Sequence, residues 1–249
     1  MKNPSFRKKL ERIRWTVLGG LLLAGLAGLL FWDSPLLLPL KILAVTLHEA
    51  GHALATYAVG GHVEQIAVDR YQGGVAHCVY PASRWRTFLV ASSGYLGSTV
   101  LGVLLLRLAL REGRSLPLVR DGSRATLWIL GSGLLLIAIL FFRDVFSWVF
   151  ALPTAAALLL AAWRAPDAWV RPGSVFIATF TCLYALFDLR YVLRLSFQDT
   201  GPMKTDAHIL EEVLLLPAWF WGMAWSLLAL LLVGWALRGT IVAREVAKK

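Results

Sequence analysis

Leu40-Lys41-Ile42-Leu43-Ala44-Val45-Thr46-Leu47-His48-Glu49-Ala50-Gly51-His52-Ala53-Leu54-Ala55 is the stretch that decides how this chain reads. It lies inside an apolar run, yet it places three ionisable side chains within five residues. On a helix, histidines four apart share one face about one turn apart, so His48 and His52 can converge on a single ion. Glu49 can then reach a water on that ion without ligating it, which suits a general base. In a membrane helix an acid at mid-depth costs roughly 2.5–3.5 kcal/mol on insertion scales. Such groups therefore face the bundle interior and have partners. A buried His/Glu hydrogen-bond cluster without chemistry is the plainer reading of the same residues.

The rest of the chain supports a bilayer setting. Of its 249 residues, 58% are hydrophobic and only 16% charged, and the mean hydropathy is +0.65. Soluble domains carry about 25% charged residues. The apolar residues fall in long runs near 15–32, 37–59, 88–110, 126–142, 146–163, 174–193 and 214–237. About 20 residues cross a hydrocarbon core, so the expected fold is an all-α polytopic membrane protein of about seven transmembrane helices. It reads as a single membrane domain over 1–249, in which 1–36 is a basic segment with an extra first helix. Residues 37–110 hold the H-E-x-x-H helix, a hairpin and the following helix; 111–173 form a helical hairpin region; 174–249 carry a third-ligand helix and a C-terminal helix.

Between Gly60-Gly61 and the third run the helical pattern stops. Gly73-Gly74 separates Val63–Tyr71 from Val75–Tyr80, two short stretches rich in strand formers, and this predicts a β-hairpin. The net charge of +10 does not indicate nucleic acid, because the basic residues sit between apolar runs and no DNA-binding motif is present. Lys and Arg beside anionic lipid account for it. Cys78 and Cys182 have no metal-binding spacing. MKNPSFRKKLERIR reads as the flank of an uncleaved first helix, since no small-x-small cleavage site follows Trp32. Six Lys/Arg precede that helix, so the N-terminus is expected in the cytoplasm, with strict alternation bringing the second helix back from outside to inside. A plain basic N-terminus suggests a bacterial inner membrane.

Two histidines need a third protein ligand. Asp188 stands out in Ala185-Leu186-Phe187-Asp188-Leu189-Arg190, because an acid inside an apolar run demands a partner. Alternation also brings its end of the sixth helix towards the same face as His48 and His52. Asp206 in Thr205-Asp206-Ala207-His208 is held in reserve, with Glu211 and Glu212 as further candidates; these lie in a polar stretch where acids need no special reason. His62, His77 and His208 read as loop residues, and Lys41 as a chain extending towards the headgroups.

The sequence resembles the site-2-protease family of intramembrane zinc metalloproteases, in a compact bacterial and plant-type branch. The matching residues are Leu47-His48-Glu49-Ala50-Gly51-His52-Ala53, Gly60-Gly61, Gly73-Gly74-Val75 and Ser93-Gly94-Tyr95-Leu96-Gly97-Ser98. Tyr184-Ala-Leu-Phe-Asp188 and Thr205-Asp206-Ala207 look like its later motifs, so the resemblance spans roughly residues 40–235. It implies a Zn2+ cofactor held by His48, His52 and Asp188, with Glu49 as catalyst. It also implies a transmembrane protein as substrate, the lipid bilayer as setting and room for a regulatory membrane partner. Phe187-Asp188-Leu189 stands where the family has Leu-Asp-Gly, which keeps Asp206 open as the ligand. A membrane zincin of another architecture acting on loops, and a non-proteolytic zinc carrier or scaffold, are the competing classes.

Overall fold

A computed structural model describes residues 15–110, 121–196 and 204–238. Its helices are α1 (Trp15–Leu30), α2 (Leu38–Ala58), α3 (Arg84–Ala109), α4 (Gly122–Phe141), α5 (Val145–Arg164), α6 (Asp167–Ser196), α7 (Asp206–Leu214) and α8 (Ala218–Arg238). Strands β1 (His62–Val68) and β2 (Gly74–Val79) lie between α2 and α3. Each of the seven apolar runs forms a helix, and α7 is an additional short one. By length and composition four of the described helices, α3, α4, α5 and α8, are long and apolar enough to cross a membrane. The remaining segments are shorter or carry more ionisable groups. The basic first 14 residues, the 111–120 part of the arginine-bearing loop and the tail from 239 lie outside the described residues.

The helices α3 to α6 run up and down in order. Ser123 and Thr126 at the start of α4 donate to the carbonyls of Ala109 and Leu105 at the end of α3, so polar groups in this apolar setting are satisfied by neighbouring backbone. At the same end Arg124 donates to the carbonyls of Ala162 and Ala165 and pairs with Asp167, which ties the α5–α6 corner to α4. The corner α4–α5 lies at the opposite end, where Asp144 caps α5 through the amide of Ser147.

One expectation about direction fails. A side-chain carbon on Gly20 would meet Val175, and one on Gly28 would meet Phe187, so α1 lies along α6 in the same direction. The α2 helix is antiparallel to α3, with His52 beside Val90 and Gly51 beside Ser93. It is therefore parallel to α6 as well. Strict alternation does not describe the first two helices: both point towards the hairpin end. Between them Trp32 packs on α6, with its ring centroid 5.3 Å from Phe187 and 6.1 Å from Tyr184. Lys41 does not extend to the headgroups. It is buried, donates to the Trp32 carbonyl and lies 5.0 Å from the Trp32 ring centroid. A cation that finds a carbonyl and an aromatic face beside it has no need to reach for water.

The expected hairpin is present as an antiparallel pair running from His62↔Val79 to Val68↔Gly74, with a bulge between Val63 and Gln65. Its turn is longer than a two-residue Gly-Gly loop. Asp69 accepts from the amides of Tyr71 and Gly73, and Gln72 takes the positive φ of 69°. The outer edge of β1 is covered at the α4–α5 corner, where Ile66 bridges to Phe142 and the Val68 amide donates to Ser147. The sheet packs on α2 and its other edge belongs to β2.

Candidate metal centre

The site forms where α2 crosses the first turns of α3. A side-chain carbon on Gly51 would lie 2.4 Å from the Ser93 carbonyl oxygen, so the two backbones meet here more closely than any larger residue permits. That approach puts the Val90 carbonyl 2.7 Å from His52 Nδ1. A carbonyl only accepts, so Nδ1 carries the proton and His52 Nε2 presents its lone pair inwards. His48 Nε2 lies 3.0 Å from His52 Nε2. Gly94 lies directly against both rings: a carbon added there would be 2.5 Å from each Nε2.

The third member comes from α7. Asp206 is the first helical residue after the Thr205 N-cap, and His208 reaches back to the Thr205 hydroxyl at 2.8 Å. Ala207 and Leu210 are fully buried and dock the helix, which turns the Asp206 carboxylate onto the histidines. Its Oδ2 is 3.2 Å from His48 Nε2 and 3.2 Å from His52 Nε2. Both imidazoles thus face the same carboxylate oxygen, and a carboxylate anion is the form a metal requires of such a ligand.

These three edges of 3.0, 3.2 and 3.2 Å suit one small ion. Tetrahedral donors around zinc at about 2.05 Å are about 3.3 Å apart. Two inward nitrogens and a carboxylate are also a common zinc donor set, and among the described residues they are grouped closely enough to hold a metal. Glu49 is buried beside them and accepts from the Ala76 amide of β2. Gly74 makes room for it, since a carbon there would be 2.6 Å from Glu49 Oε1.

A model of the Peptidase M50B-like family matches residues 21–236. The chain belongs to that family. It is thereby a member of the site-2-protease family, a group of zinc-dependent intramembrane metalloproteases. No curated protein and no solved structure matches the chain.

The residues named from sequence divide as follows. His48, Glu49 and His52 are brought together as expected. Asp188 is carried by α6, and its side chain lies outside the described residues. The acid that the structure brings to the histidines is the reserve candidate, Asp206. Glu212 pairs instead with Lys204, and Glu211 is outside the metal-sized group. His62 and His77 are exposed on the hairpin, and His208 serves the α7 cap. Sequence reasoning named Gly94 within a matching motif but not its place against the two rings, and it missed the Val90 carbonyl and the Ala76 amide, because each acts through backbone position. Part of the signal for Asp206 was available: a Thr-Asp N-cap followed by apolar Ala207 and Leu210 at helical spacing marks the start of a helix, not a free loop.

Proposed function

We propose that this chain is an intramembrane metalloprotease in which His48, His52 and Asp206 hold zinc and Glu49 is the general base. What carries the reading is the convergence of three donors around Glu49 within an apolar bundle. When bound there, zinc supplies Lewis-acid polarisation and a lowered water pKa. Glu49 takes the proton of the attacking water and delivers it to the leaving amine. Its hydrogen bond from the Ala76 amide holds the carboxylate beside β2, while the Val90 carbonyl keeps His52 in the tautomer that leaves Nε2 free.

The substrate class follows from the surroundings. A transmembrane helix hides its peptide bonds in its own ladder, and in lipid each freed backbone group needs a partner. β2 offers one. In the antiparallel pairing Asp69 donates to Gly73, so the alternation turns the Gly74 amide and the Gly74 and Ala76 carbonyls away from β1, beside the Ala76 amide that Glu49 engages. An unwound segment can add there as a strand beside Glu49. The substrate is thus a membrane protein cut in or near its transmembrane segment. A bacterial inner-membrane location rests on the basic N-terminal segment alone, and a regulatory membrane partner on the family resemblance.

The test is cleavage of a single-span substrate by the purified chain in liposomes. Wild type should cut within the span, and Glu49→Gln should keep its metal but lose turnover. Cutting at a wild-type rate by Glu49→Gln, or only in soluble loops, would overturn the proposal.

A further inference from the structure

The two histidines are held by different means. His52 is anchored by the Val90 carbonyl. His48 Nδ1 is buried and has no hydrogen-bond partner among the described residues. A histidine that ligates a metal normally donates its other N–H to a carbonyl or carboxylate, which sets the ring's orientation. Something else has to hold the His48 ring.

Aromatic packing does so. Tyr95, on α3, meets His48 edge-on with ring centroids 4.5 Å apart and planes at 80°. Trp225, on α8, stacks on Tyr95 at 5.0 Å with planes at 19°. The Trp225 indole N–H donates to the Ser92 hydroxyl at 3.2 Å, one turn before Tyr95 on α3. Tyr95 is thus held between His48 and a tryptophan that is itself pinned back to α3. All three rings are buried. The same packed cluster contains Ala207 and Leu210, which dock the helix that presents Asp206. One block of side chains therefore borders two of the three donors, and its far wall is the C-terminal helix.

We infer that Tyr95 and Trp225 are positioning residues for the metal centre, setting the His48 ring and the seat of α7 without touching the reacting atoms. The consequence is that α8, which supplies no donor, controls the coordination geometry. This inference rests on the metal-site reading above.

The experiment uses the full chain in detergent, with zinc affinity by chelator competition and the visible absorption of the cobalt-loaded protein, which reports ligand geometry independently of turnover. Trp225→Leu should weaken zinc binding by about 10–100-fold, as loss of an outer partner does, and should shift the cobalt bands. Trp225→Phe keeps a stacking ring and should recover most of the affinity. Ser92→Ala, a small change that frees the indole, should weaken binding several-fold and serves if Trp225→Leu does not fold. Leu231→Ala, on the exposed side of α8, should change nothing. Wild-type affinity and bands in both Trp225→Leu and Ser92→Ala would overturn the inference while leaving the metal site intact. A folded wild type that takes up no metal would overturn both.

Discussion

Replacing Gly94 with alanine tests the site at its tightest point. The added carbon would lie 2.5 Å from His48 Nε2, His48 Cε1 and His52 Nε2, whereas ordinary contact begins near 3.4 Å. The overlap is about 0.9 Å against each ring, and packed interiors relieve such overlaps only by moving neighbours. Neither histidine can easily yield. His52 is tied to Val90, and backing α3 away would open the crossing at Gly51. Metal sites tolerate donor displacements of only about 0.2 Å. Zinc affinity should therefore fall by on the order of 100-fold or more, while overpacking costs about 1–3 kcal/mol of stability. Gly97→Ala is the internal control, because its added carbon would sit at an ordinary 3.5 Å from the Gly51 Cα. Zinc affinity by chelator competition, with a thermal unfolding curve for each variant, makes the comparison. Gly94→Ala that binds zinc like wild type would refute the proposed geometry of the centre.

Two further outcomes follow from the hairpin. Gly74→Ala places a carbon 2.4 Å from Val45 Cγ1 and 2.6 Å from Glu49 Oε1, so turnover should drop at least tenfold, as for a misplaced general base; zinc content should stay at the wild-type level, and a drop in both would mean that the hairpin supports the ligands directly. Burial, followed by the negative charges of Glu49 and Asp206, pushes the Cys78 thiol up, so in a Cys182→Ser background it should alkylate slowly at neutral pH and faster as the pH rises above 9. Glu49→Gln should speed that labelling, and an unchanged rate would argue against the closeness of β2 to the site.

Much of this architecture was legible because it depends on composition and period. Apolar runs must form helices in lipid, and His48 with His52 can share a metal only on one helical face. The Gly-Gly punctuation gave the hairpin, but its turn is set by Asp69 capping two amides, which glycine spacing does not reveal. Alternation failed at α1 because it presumes that each apolar run crosses fully, whereas contacts with Val175 and Phe187 align α1 with α6. The third donor was harder. An acid in an apolar run, Asp188, demands explanation, and an acid in a polar stretch, Asp206, does not. Yet Asp206 reaches the histidines because α7 docks through Ala207 and Leu210 onto Tyr95 and Trp225, a tertiary contact that no local pattern encodes.

The most direct test is the zinc content of purified wild type, Asp206→Ala and Asp188→Ala in the same detergent. Wild type should hold about one zinc per chain, Asp206→Ala little, and Asp188→Ala a near-normal content. Zinc retained without Asp206 and lost without Asp188 would contradict this assignment and move the third ligand to α6.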